Sequence, residues 1–154
     1  MPSVILEHLD CVKDYVGREL GVSEWLPVTQ DRIDKFADAT GDHQWIHVDT
    51  ERAKRESPFG STIAHGFLTL SLISPLYFGA VAIKTGYSMG VIYGLNRLRF
   101  LAPIKVGSEI RARFSVVSVK ENPGSRDLIL SVVVEVKGLD KPACVAEWII
   151  RYYA

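Results

Sequence analysis

The stretch IAHGFLTLSLISPLYFGAVAI, residues 63–83, decides the architecture. Wound as a helix, it carries apolar side chains on almost every side, and a helix of that kind is usually buried. The sequence therefore predicts one long central helix with the rest of the chain built around it. Pro75 is expected to kink or interrupt it, since proline removes a backbone donor and crowds the preceding turn. Gly66 near its start is costly by helix propensity. It becomes sensible where something must approach the backbone closely. One reading is tight packing by a helix or strand. The other is a ligand oxyanion, met by free N–H groups at the positive end of the helix dipole.

Downstream the apolar period changes to two. Arg97, Arg99 and Leu101 alternate with Leu98, Phe100 and Ala102, so Leu98 and Phe100 are expected to face inward and the arginines to face solvent. Ile110, Ala112, Phe114 and Val116 alternate with Arg111, Arg113 and Ser115. After the turn signal Asn122-Pro123-Gly124, Leu128, Leu130, Val132, Val134 and Val136 share one face. Gly138-Leu139-Asp140 marks another turn, and 143–153 reads as a last strand. Strands so spaced predict an antiparallel meander. With the helix before it, the pattern is α+β, an antiparallel sheet wrapped around a long central helix.

Upstream, the first 40 residues read as mainly helical. One helix is expected from near Ser3, burying Val4, Leu6, Leu9 and Val12, with Gly17 and Gly21 breaking the pattern. A second fits 29–39, capped by Thr29 and stopped at Thr40-Gly41-Asp42. Asp49 is placed to cap a short helix beginning near Thr50.

The whole chain of 154 residues is the size of one domain, 1–154, and can bury a core without staples. Hydrophobic residues make up 47% and charged residues 23%, which argues against general disorder. Lys+Arg 18 balances Asp+Glu 18, leaving no bulk positive field for nucleic acid or an anionic membrane. Cys11 and Cys144 form no CxxC pair, so a structural zinc site is not expected. The N-terminus lacks a basic start and long apolar run, and no segment is long enough to span a bilayer. A cytoplasmic location is the expectation.

Proton chemistry concentrates in GDHQWIHVD, residues 41–49. Asp42 and His47 stand five apart after a helix stop, where a loop can turn both into one pocket. A carboxylate and an imidazole sharing one water can polarise it and carry its proton. The plainer reading is a cap and a surface group. His43 and His47 are four apart, as metal ligands can be, but no third ligand follows at suitable spacing, and no metal is expected. His65 reads as a structural histidine.

Three motifs occur together: Gly41-Asp42-x-Gln44-x-x-His47-x-Asp49, Ala64-His65-Gly66, and Asn96-x-x-Arg99-Phe100-x-x-Pro103-x-x-x-Gly107. As a set they closely resemble the MaoC-like hydratases, the (R)-specific enoyl-CoA hydratases of hotdog fold. The resemblance covers roughly residues 20 to 154. It is strongest to the single-domain branch of nodulation protein N-like proteins and mycobacterial enoyl-CoA hydratases.

The resemblance implies a hotdog homodimer without a cofactor that adds water to trans-2-enoyl-CoA, giving (R)-3-hydroxyacyl-CoA. It puts the catalytic aspartate on Asp42, the histidine on His47 and the backbone oxyanion donor on Gly66. A polar residue supporting the aspartate falls on Ser74. Gln44 stands where the family has Asn, and Trp45 where it has Pro. A longer amide can still orient His47 or the water. Ile63, Phe67, Leu70 and Trp45 are candidate walls of an acyl slot, although core packing explains the first three equally well. Two alternatives carry different expectations. A hotdog acyl-CoA thioesterase would release free thiol. A non-catalytic acyl-binding or partner-binding hotdog would not need Asp42.

Overall fold

Helix α4 runs from Gly66 to Ala80 in the computed structural model, which describes residues 1–154. Leu68, Leu72, Ile73, Leu76, Tyr77 and Ala80 bury one side of it. Tyr77 fastens it to the sheet, its ring edge-on to Phe114 and Trp148 at 5.3 and 5.5 Å. The opposite side is open: Phe67 is 65% exposed and Phe78 53%. The expectation of burial all round is thus corrected. An apolar stripe of this helix faces outward. Pro75 does not interrupt the helix either. It lies on the exposed side together with Ser71, where water can satisfy the carbonyl that proline leaves without a donor.

The sheet comprises β2 (Glu19–Val22), β3 (Leu26–Pro27), β5 (Met89–Phe100), β6 (Glu109–Asn122), β7 (Ser125–Val136) and β8 (Cys144–Tyr153). Its order is β2-β6-β7-β8-β5, with β3 also on β6, and all pairs are antiparallel. Gly124, at φ 74°, makes the tight turn from β6 to β7. The inward residues are those the period of two selected: Ile110, Ala112, Phe114 and Val116 on β6, and Leu128 to Val136 at every second position on β7.

Only β6-β7-β8 is a meander. β5 pairs with β8 at the far edge, not with its successor β6. Its burial also departs from expectation. Leu98 is half-buried and Phe100 is 45% exposed, while Arg97 and Arg99 lie in solvent as expected.

The N-terminal helix is replaced by other elements. Val4–Leu6 is strand β1, Leu9–Tyr15 a 3-10 helix, and β2 follows. β1 pairs in parallel with β4 (Val81–Ile83), at the end of α4. Leu6, Leu9 and Val12 are still buried, so the apolar spacing was sound and only the conformation differs. Helix α1 (Gln30–Thr40) has Thr29 as cap, accepting from Arg32 N–H, and Gly41 at φ 78° as its stop. A single turn α2 (Trp45–Val48) and α3 (Thr50–Glu56) follow, with Asp49 capping α3 through Arg52 N–H. No helix is long and apolar enough to cross a membrane.

Candidate active site

The left-handed Gly41 turns the chain out of α1 and across the start of α4. Asp42 is exposed there, and its Oδ1 accepts from Gln44 N–H at 3.4 Å. Its backbone carbonyl accepts from His65 Nε2–H at 3.0 Å. One turn on, His47 is buried. Its Nδ1 lies 2.7 Å from the Ile63 carbonyl, which can only accept, so Nδ1 carries the proton. The neutral ring therefore presents the Nε2 lone pair. Burial holds the His47 pKa below its usual value and favours that neutral ring; the bond to the Ile63 carbonyl opposes this in part.

Sequence reading missed Gln30 and Thr62, which lock this loop. The Gln30 amide donates to the His47 carbonyl at 2.8 Å, and the Thr62 hydroxyl donates to Gln30 Oε1 at 2.6 Å. Ile63 N–H also donates to the Ile46 carbonyl at 3.1 Å. Gln30 also donates to Asp34 one turn on at 2.8 Å, but nothing local marks its two loop partners, 17 and 32 residues away.

A carboxylate oxygen of Asp42, a ring nitrogen of His47 and one of His65 lie within 4.8 Å of one another. Two polar groups so separated can both reach a single water at ordinary hydrogen-bond length. The imidazoles of His47 and His65 are stacked, centroids 3.8 Å apart and planes 24° from parallel. Stacked rings turn faces, not lone pairs, toward each other, so the set suits a held water better than converging metal ligands. His43 does not join the set: it is exposed, pairs with Asp38 at 2.8 Å, and that carboxylate raises its pKa.

His47 and Gly66 line one cleft of about 360 Å³, with apolar walls that include Phe59, Ile63, Phe100 and Ile104. As first residue of α4, Gly66 has an N–H with no partner inside the helix. A Cβ at Gly66 would stand 2.9 Å from the Phe100 ring. That close approach accounts for the glycine by packing, and it also leaves the helix start open to the cleft.

The other candidates lie elsewhere. Trp45 is half-buried under the Arg52 guanidinium, 4.3 Å from its ring, and is not a wall of this cleft. Phe67 stands on the outer stripe, edge-on to Phe100 at 6.3 Å. Leu70 and Ser74 line a second cavity of about 390 Å³ with Ile92, Leu95 and Trp148. Ser74 sits about 12 Å along the helix axis from Gly66, and no hydrogen bond joins it to Asp42 in this chain.

The family model described as MaoC like domain matches residues 12–137. The chain belongs to this family. The 3-hydroxyacyl-thioester dehydratase Z of Mycobacterium tuberculosis (strain H37Rv) is 51% identical to this MaoC-like chain, over 90% of it and 91% of the relative. Nodulation protein N of Rhizobium leguminosarum bv. viciae is likewise 51% identical, over 90% and 86%. Among solved structures, the R-hydratase PhaJ1 from Pseudomonas aeruginosa superposes with a TM-score of 0.67 at 24% identity, covering 88% of this chain and 79% of that one. The MaoC-like protein thus has the hotdog fold, with α4 as the central helix, and it is an enzyme of the hydro-lyase kind.

Proposed function

We propose that the MaoC-like protein is an (R)-specific enoyl-CoA hydratase, reversibly adding water to trans-2-enoyl-CoA to give (R)-3-hydroxyacyl-CoA. One observation carries this reading: His47 has its Nδ1–H committed to a carbonyl, so a basic Nε2 is left in a cleft shared with the free N–H of Gly66. The dehydratase name of the 51% identical relative supports the reaction class, and the R-hydratase neighbour agrees with the (R) outcome.

The thioester carbonyl accepts from Gly66 N–H at the positive end of α4. This polarises the C2=C3 bond and stabilises the enolate charge that develops on oxygen. The water gives one hydrogen to Asp42 as a hydrogen bond and the other to His47 Nε2. Its oxygen bonds to C3, the π electrons move onto the thioester, and His47 Nε2 takes the proton. The imidazolium then returns that proton to C2 as the enolate collapses. No outside proton is required. Dehydration runs the same steps backward, with His47 removing the C2 proton. In this reading the Nδ1–H tautomer supports His47 as the proton carrier and leaves Asp42 to orient the water.

The working unit in this reading is a homodimer. Phe67 and Phe78 on α4, with Val91, Ile92, Tyr93 and Leu95 on β5, form an exposed apolar face. A patch of that kind marks an interaction surface, and the outer edge of β5 has no strand beside it. Ser74 lies within this face.

The test is crotonyl-CoA hydration, followed by loss of absorbance of the conjugated thioester. Asp42→Asn and His47→Ala, both folded, are each expected to lose about 10²–10⁴-fold in kcat. Wild type inactive on crotonyl-CoA and on longer enoyl chains defeats the proposal. Free thiol release in its place would identify a thioesterase.

A further inference from the structure

We infer that His65 is a positioning residue of the hydration site, and this rests on the hydratase reading above. Three contacts support it. His65 Nε2–H donates to the Asp42 carbonyl at 3.0 Å, tying the water-orienting loop to the helix. Its ring stacks on His47 at 3.8 Å. It is the cap residue directly before Gly66, so its backbone sets where the oxyanion donor stands. One residue thus joins the water holder and the proton carrier through its side chain and the oxyanion donor through its backbone.

The ring is locked on its remaining sides. Phe36 of α1 lies against it at 4.9 Å, tilted 56°, and only 3% of the residue is exposed. Its Nδ1 is buried with no hydrogen-bond partner. A buried acceptor without a donor is costly, and a phenyl or aliphatic side chain would avoid the cost. The feature is therefore poor as packing and sensible as a device. The imidazole supplies a flat face for His47 and a single N–H for Asp42, two properties that no apolar side chain combines.

The consequence is geometric. Without the stack, His47 can tilt about its Nδ1–H bond to the Ile63 carbonyl, and Nε2 leaves the water. Without the N–H, the Asp42 loop loses its tie to α4. Each loss misaligns reacting groups and leaves the acyl walls intact, so it shows in kcat and not in KM.

Two variants separate the contacts. His65→Phe keeps a ring on His47 and removes the donor. His65→Gln keeps an N–H for Asp42 and removes the ring. Folding is checked by circular dichroism. Crotonyl-CoA kinetics should show kcat lowered by about tenfold or more in each variant, with KM within about threefold. In ¹⁵N-resolved spectra of the imidazole nitrogens, wild-type His47 should show a single tautomer protonated at Nδ1. The His65→Gln variant should keep that tautomer, because the Ile63 carbonyl still holds Nδ1–H, while the Nε2 resonance shifts and broadens as the ring tilts. Folded variants with kcat near wild type and an unchanged His47 spectrum overturn the inference. Loss of fold in both variants overturns it as well, since His65 is then a structural residue. An inactive wild type defeats the hydratase reading alone, and the His47 spectra still decide the role of His65.

Discussion

At the scale of the residue, His47 shows how one backbone acceptor sets chemistry. The Ile63 carbonyl chooses the tautomer, and burial keeps the ring neutral. The folded pKa lies below the ordinary value of 6.5, so the ring stays unprotonated to lower pH than a free imidazole would. The acid limb of kcat/KM is therefore expected below pH 6.5, and a pH–rate profile measures it. Stability has the same sign. Below 6.5 the unfolded chain takes up the proton first, so the stability owed to neutral His47 is complete above 6.5 and is lost as pH falls through the folded pKa. Denaturant melts at a series of pH values should decline in that window.

Gly66 makes a second prediction at this scale. Alanine gains up to about 1 kcal/mol in helix propensity, but its Cβ meets the Phe100 ring at 2.9 Å. The ring or the helix start must move, and both border the cleft. Gly66→Ala should lose about 10²-fold in kcat/KM, the scale of a 1 Å misplacement, with a melting temperature close to that of wild type. A folded variant of full activity would remove Gly66 from the mechanism. The positions of Asp42 and Gly66 were legible in the sequence because one follows the helix stop at Gly41 and the other opens α4. His65 was read as purely structural, since nothing local reveals that its ring lies over one eighteen residues earlier. Trp45 was read as a wall, and its Arg52 partner on α3 draws it away.

Among the elements, legibility followed the range of the contacts. Helix α1 was read to within a residue at each end because Thr29 and Gly41 act on their own turns. Strands β6 and β7 were read from alternation and a Pro-Gly turn. The first twelve residues were not, because Val4, Leu6, Leu9 and Val12 suit a helix as well as a strand followed by a 3-10 turn. Pairing with Val81–Ile83, far along the chain, decides between them. The place of β5 was hidden for the same reason, its partner being the last strand. Helix α4 looked uniformly buried because an apolar side chain reads alike in sequence whether the fold buries it or leaves it exposed.

For the whole molecule, the homodimer proposed above would cover that outward stripe and so make assembly part of stability. Sedimentation should find a dimer, and its melting temperature should rise with protein concentration. Ile92 is 50% exposed on β5, and Ile92→Arg places a charge in the apolar face. This variant should sediment as a monomer and lose most of its activity, since Phe100 and Gly66 border the same side of the molecule. A wild-type monomer at micromolar concentration would refute the assignment of this face. The pairing of Met89 with Tyr153 has a further effect, on timing. While the chain is being synthesised, β5 emerges apolar and without a neighbour, and β8 follows only after β6 and β7. Hairpins β6-β7 and β7-β8 can close locally, whereas β5 must wait for a partner that does not yet exist. Its amides should be the last to gain protection in pulse-labelled refolding, and until β8 follows it off the ribosome β5 carries an open apolar edge.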